Sequence, residues 1–154
     1  MLADGYTLTE DQARIDAVAA HAYLTRSYWS PGISAEIVAR AIANSHCVAI
    51  HHSADRGADR GADRGADQVA MARVVTDWAT FAYLADVYVL EDHRGRGLSK
   101  AMLTHLHADP RLKDLRRGAL FTRDAHGLYE QFGWFVGQHP ERLMLHDNPE
   151  AFAA

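Results

Sequence analysis

One stretch of the chain combines residue types and spacing that suit chemistry: Asp86-Val87-Tyr88-Val89-Leu90-Glu91-Asp92-His93-Arg94-Gly95-Arg96-Gly97-Leu98-Ser99-Lys100. An apolar strand feeds a turn with two glycines, and the turn opens an amphipathic helix. This order builds an anion cradle. The free N–H groups of the first helical turn converge on one spot, and the helix dipole adds partial positive charge there. Gly95 and Gly97 let a ligand come close to the backbone, while Arg94, Arg96 and Lys100 add formal charge. A phosphate-bearing ligand is the expected occupant; the plainer alternative is a tight glycine turn flanked by solvated arginines. A Walker loop needs Gly-Lys-Ser/Thr at the helix start, whereas the order here is Gly97-Leu98-Ser99-Lys100. The dinucleotide fingerprint needs a third glycine where Lys100 stands.

The elements around the cradle follow from periodicity. Thr9-Glu10-Asp11-Gln12 has capping-box spacing and Ile15, Val18, Ala19 and Ala22 recur at helical intervals, which predicts a first helix from about Glu10 to Tyr23. Tyr28-Trp29-Ser30-Pro31-Gly32 breaks it. Ser34 can cap a second helix with Ile37, Val38, Ala41 and Ile42 on one face, ending near Asn44. Strands are expected at Cys47 to Ile50, Val69 to Thr76 and Tyr83 to Leu90, with an opening strand at Tyr6 to Leu8. Leu98, Met102, Leu103 and Leu106 mark a helix that stops before Asp109-Pro110. A strand at Ala119 to Thr122, a short helix from Ala125 to Phe132 and a last strand at Arg142 to His146 complete the reading. The class is α+β: a mixed sheet, antiparallel early and parallel after the long helix, flanked by helices.

Composition bounds the rest. The 154 residues suffice for one domain, and 48% apolar with 23% charged residues is ordinary for a globular chain. Sixteen Lys+Arg against 20 Asp+Glu, net −4, argues against nucleic acid as a partner. Cys47 is the sole cysteine, which excludes an internal disulfide and a cysteine-based zinc finger. No apolar run is long enough for a membrane span and Met1 to Thr9 lacks a signal-peptide plan, so the expected location is cytoplasmic, away from membranes. The ADRG repeat within about 53–68 is expected to be a solvated loop joining two paired strands. Among ten histidines, His51-His52 and His105-x-His107 lack zincin spacing, so no metal is expected.

Two motifs resemble the GNAT superfamily of acyl-CoA-dependent N-acyltransferases. Its signature, Gln/Arg-x-x-Gly-x-Gly/Ala after an apolar strand, is met at Arg94 and Gly97, with Ser99 in the last place. A second hallmark, Leu-Tyr on a helix followed by Gly and an aromatic, is met by Leu128-Tyr129-Glu130-Gln131-Phe132-Gly133-Trp134. The resemblance spans about residues 45 to 146 and implies a sheet whose parallel pair splays at the cofactor site. It implies that the main chain of Val87, Tyr88 and Val89 holds a pantetheine arm, and that the amides of Arg94, Gly95, Arg96, Gly97, Leu98 and Ser99 hold the pyrophosphate of acetyl-CoA.

By the same resemblance the Val89 amide polarises the thioester, Tyr129 is the general acid that protonates the leaving thiolate, and Asp124 stands near a cofactor-contacting position. Asp86 is the first candidate to accept the amine's proton, then Glu91, then His93. Without the resemblance, Tyr129 reads as a core tyrosine packed with Phe132, and Asp124 as a helix cap. Tyr28, Trp29 and Tyr83 are candidate walls of an acceptor pocket, suited to a small cationic amine. The activity implied is acetyl transfer to a primary amine, of a small molecule first and of a protein as the alternative, by direct attack in a ternary complex. A non-catalytic acyl-CoA-binding domain is the rival from another class. A homodimer is compatible with the family, and the acceptor is not encoded in these motifs.

Overall fold

Two apolar strands at the centre of the chain organise the rest. β2 (His46–His52) and β3 (Asp67–Thr76) are buried on both faces over most of their length, so each must lie inside a sheet covered on two sides. The computed structural model describes residues 1–53 and 66–152; the expected loop carrying the repeat falls mostly outside the described residues. With β1 (Tyr6–Thr9), β4 (Phe81–Val89) and β5 (Arg117–Leu120), the two central strands form one five-stranded sheet in the order β1-β2-β3-β4-β5. The first four strands are antiparallel, and β4 pairs with β5 in parallel.

Side-chain alternation sends residues to two cores. Val48, Ile50, Ala70, Ala72 and Val74 pack with Leu98, Met102, Leu103 and Leu106 of α3 (Leu98–Ala108) and with Tyr129 of α5 (His126–Glu130). Cys47, Met71 and Tyr88 face the other way, against Ala20, Tyr23 and Leu24 of α1 (Ala17–Leu24) and Val38 and Ile42 of α2 (Ala35–Ala43). Tyr23 stacks on Tyr88 with ring centroids 4.4 Å apart, a contact worth roughly 1 kcal/mol beyond simple burial. A four-residue helix, α4 (Pro110–Lys113), follows α3 directly, capped by Asp109.

The second helix, the long helix and the three strands at 47–50, 69–76 and 83–90 form where the sequence pattern places them, and the opening strand is present. Three expectations are corrected. The first helix begins at Ala17, not Glu10, because Asp16 supplies the cap by accepting from Ala19 N. Thr9 lies in β1 and its hydroxyl accepts from Asp11 N, while Gln12 turns its side chain to the Ile42 carbonyl, so no capping box forms.

The strand expected at Arg142 to His146 is absent. Arg142 ends a short 3-10 turn from Pro140, and residues 143–148 carry no regular structure. Leu143, Met144 and Leu145 are exposed, and no described strand lies beside them to complete a ladder. Asp124, finally, does not cap α5: Ala125 N donates to Thr122 Oγ1, and the Asp124 carboxylate is exposed beside Arg123.

Candidate active site

β4 is paired with β5 only from Phe81 to Leu84, opposite Arg117 to Leu120. From Ala85 onward it has no ladder partner on that side, so a slot opens between the strands. A bulge sits where the slot begins: Arg73 pairs with Ala85 and Met71 with Tyr88, so Asp86 and Val87 together oppose Ala72. Asp86 takes a positive φ of 51°, a region that Asp tolerates better than most residues. Past the bulge, Leu90 N donates to Val69 O at 2.8 Å, which makes Leu90–Val69 a hydrogen-bonded pair. Val89, opposite Ala70, is then a pair of the other kind, and its N–H and C=O turn towards the slot.

The cradle follows. A 3-10 turn at Glu91–His93 ends with Arg94 N donating to Glu91 O, and bonding resumes with Ala101 N to Gly97 O. Between them, the amides from Gly95 to Lys100 have no acceptor among the described residues. Gly95 and Gly97 both adopt positive φ, 75° and 74°, and a Cβ at either would meet nothing within 4 Å. The result is a row of donors facing open space, at the N-terminus of an eleven-residue helix. Arg94 itself serves the scaffold: its N–H is used within the turn, and its guanidinium donates to Val89 O (3.1 Å) and Tyr23 Oη (3.0 Å). Arg26, on the loop after α1, grips Glu91 through both oxygens at 2.6 and 3.0 Å, holding the Glu91 carboxyl down at about 2.

Tyr129 is buried on α5 in the same core cluster as Leu84 and Val89 of β4, with its ring edge-on to Trp134. Burial, aided by the nearby Tyr28 phenol, pushes its hydroxyl up to about 12. That hydroxyl has no hydrogen-bond partner among the described residues. Tyr28 stacks edge-on against Trp29 (5.0 Å), and the Trp29 indole N–H donates to Asp86 Oδ1 at 3.0 Å. Tyr83 is half-buried, raised by burial and by the charge of Asp86, and packs on Phe121. Tyr28, Trp29, Tyr83, Asp86 and Tyr129 are therefore brought to one region.

The three expected proton acceptors all have partners. Asp86 holds Trp29 and Arg73, Glu91 holds Arg26, and His93 Nδ1 is bonded to Tyr6 Oη at 2.8 Å. Tyr88, opposite Met71, is by the same alternation a pair whose main chain bonds to β3, so it turns away from the slot; its ring is buried against Tyr23, and its hydroxyl accepts from Gln68. Cys47 is buried, and desolvation pushes its thiol up to about 11, which removes it as a nucleophile at neutral pH.

Tyr23, Arg26, Arg73 and Arg123 are functional-region residues that motif reading missed. Only Arg73 left a signal, as a lone charge in the apolar run Val69 to Val75. The Arg123 guanidinium lies 3.8 Å over the Tyr28 ring, so that face is already occupied by a cation of the chain itself.

Elsewhere among the described residues, Glu10, His46 and Asp109 bring ligand atoms within 4.8 Å of one another. Asp109 is forked by Arg111, and Glu10 Oε2 lies 3.0 Å from His105 and 4.0 Å from Arg111, so these carboxylates already have partners. His107 is tied to Leu103 O and to the Trp134 indole, and His51 is buried in β2, so these two are packed side chains and not surface histidines.

Comparison with known proteins agrees with this geometry. Residues 46–135 match the family described as acetyltransferase (GNAT) domain. A Gibberella zeae protein bearing an acetyltransferase name is 30% identical over 133 residues, covering 80% of this chain and 75% of its own. A Xanthomonas campestris crystal structure of a GNAT-family protein superposes with a TM-score of 0.85 at 37% identity, covering all of both chains. An acetyltransferase from Clostridium acetobutylicum solved with acetyl-CoA shares the fold at a TM-score of 0.62 and 16% identity, over 93% of this chain and 94% of its own. The chain belongs to the GNAT acetyltransferase family. Its mixed sheet with a splayed parallel pair is the fold of that family. No helix among the described residues is long and apolar enough to cross a membrane.

Proposed function

We propose that the protein is an N-acetyltransferase that moves the acetyl group of acetyl-CoA to a primary amine of a small molecule, by direct attack in a ternary complex. The observation that carries this reading is the row of unpartnered amides from Gly95 to Lys100, placed at the end of a strand whose partner has splayed away. The diphosphate of the donor would lie on those amides, and its pantetheine arm along the free edge of β4. The Val89 N–H would face the thioester carbonyl, where a donor stabilises the oxyanion that forms on attack.

The amine nitrogen bonds to the acetyl carbon, the carbon–sulfur bond breaks, and the sulfur leaves with its electron pair. Tyr129 supplies a proton to that sulfur, and the proton lost by the amine restores the phenol through solvent, so the reaction balances to amide and free thiol. A phenol held at about 12 keeps its proton throughout the neutral range, as a general acid must. With no partner among the described residues, the Tyr129 hydroxyl is available to the sulfur. The test is to mix the protein, acetyl-CoA and a panel of amines and to follow thiol release. Release above the amine-free background for at least one amine is expected; binding of acetyl-CoA with no turnover on any amine, free or peptide-borne, would favour a binding domain.

A further inference from the structure

We propose that Arg73 and Asp86 form a positioning pair that orients Trp29 at the acceptor end of the slot, and that Asp86 is not the base. The proposal rests on the transferase reading above and assigns part of its acceptor recognition. Asp86 sits in the β4 bulge with a positive φ, and its side chain is 11% exposed. A non-glycine residue in that region is strained and persists only when its surroundings hold it. Both of its oxygens are held: Oδ2 accepts from Arg73 Nε at 2.7 Å and Oδ1 from the Trp29 indole at 3.0 Å.

Arg73 is anchored in turn. Its side chain is 16% exposed, and its terminal nitrogen donates to Ser45 Oγ at 3.1 Å, while the Ser45 hydroxyl donates to Ala41 O at the end of α2. The chain of contacts continues beyond Trp29. Its ring meets Tyr28, whose hydroxyl accepts from Arg123 N in the segment after β5. One connected network therefore runs from α2, through the bulge that opens the slot, to the segment beyond the opposite strand.

This wiring fits a positioning role better than proton transfer. A proton on Asp86 would leave the largely buried Arg73 guanidinium without its counter-charge, a costly state where little water can replace it. An ionised, doubly bonded Asp86 instead fixes the indole plane, and with it the wall an acceptor amine must pass.

The test uses the full chain, thiol-release kinetics and three variants. Trp29→Phe keeps the ion pair and removes the indole donor. Asp86→Asn keeps an acceptor for the indole and removes the charge. Arg73→Met/Asp86→Asn removes both charges together, so no lone charge is buried if the single Asn variant fails to fold. The expected result is a rise of about ten-fold in amine KM in each, with acetyl-CoA affinity within three-fold of wild type and an unaltered acid limb of kcat/KM against pH. The Trp29 indole N–H resonance should also move upfield when its acceptor loses charge. An acid limb lost in the Asn variants with amine KM unchanged would make Asp86 the base and overturn the proposal. An indole resonance that stays in place would overturn it as well, and that readout is independent of turnover. Failure of the wild-type protein to transfer acetyl to any amine would sink the transferase reading while leaving the indole result to decide the pairing.

Discussion

Arg94 returns its guanidinium to the carbonyl of Val89, five residues earlier, at 3.1 Å. The same side chain reaches Tyr23 on α1, so one arginine closes the end of β4, the start of the cradle and a helix on the far face of the sheet. The signature arginine therefore acts on this fold through its side chain as a clasp, and its own amide is spent inside the turn.

Removing that clasp should loosen the cradle without unfolding the protein. Arg94→Ala is expected to raise the acetyl-CoA dissociation constant about ten-fold, roughly 1.4 kcal/mol, a modest figure because the side chain is half-exposed. Titration calorimetry checks it. An unchanged constant would mean that Val89 and the turn hold their positions unaided.

Gly97 and Gly127 give a matched contrast. A Cβ at either meets nothing within 4 Å, but only Gly97 has a positive φ. Gly97→Ala should cost about 1–2 kcal/mol of stability and weaken acetyl-CoA binding, since a new methyl and a strained φ would disturb the cradle proposed for the diphosphate. Gly127→Ala, within α5, should be neutral or stabilising by up to about 1 kcal/mol. Thermal melts with and without acetyl-CoA separate the two.

Tyr129→Phe should lower kcat by about a hundred-fold, with acetyl-CoA affinity little changed. The pH dependence follows from the direction of the shift. Because the folded phenol is raised to about 12, its protonated form persists well above the ordinary tyrosine range. The wild-type kcat should therefore show no decline between pH 8 and pH 10 from loss of the Tyr129 proton. A decline there that vanishes in the Phe variant would contradict the assignment.

Burial raises three groups well above their ordinary values: Cys47 to about 11, and Tyr88 and Tyr129 each to about 12. All three bind their protons more tightly when folded. Their stabilising contribution is complete below the unfolded values, 9.0 for the thiol and 10.0 for the phenols, and is lost as pH climbs through the folded ones. Melting temperature should be level between about pH 7 and 9 with respect to these groups and should fall beyond. Tyr88→Phe should start lower, having lost the Gln68 bond, and fall less steeply between pH 10 and pH 12.

The parts of the site that could be read in the sequence are those encoded locally. Gly95 and Gly97 flank one arginine just before a helical stripe, an order that suits a turn opening a helix. Tyr129 stands in a short motif ended by a glycine. The parts that escaped depend on distant partners. Strand alternation assumes an unbroken ladder, and nothing in Ala85-Asp86-Val87 announces a residue with positive φ, so the bulge was invisible. The Arg73–Asp86 pair spans a hairpin, and the Arg26–Glu91 pair joins segments 65 residues apart. Strand-like composition at Leu143-Met144-Leu145 misled for the opposite reason: a favourable pattern forms no strand without a neighbour to pair with.

The rung between Leu84 and Leu120 is the last at which β4 and β5 touch. It acts as the floor of the slot, and its height above the cradle is fixed by the five residues from Ala85 to Val89. If the diphosphate of acetyl-CoA lies on the cradle amides as proposed, that stop at a set depth would make the strand a ruler for the acyl group. Zipping one more rung shut would shorten the measure and favour the smallest acyl chains; unzipping one would admit longer ones.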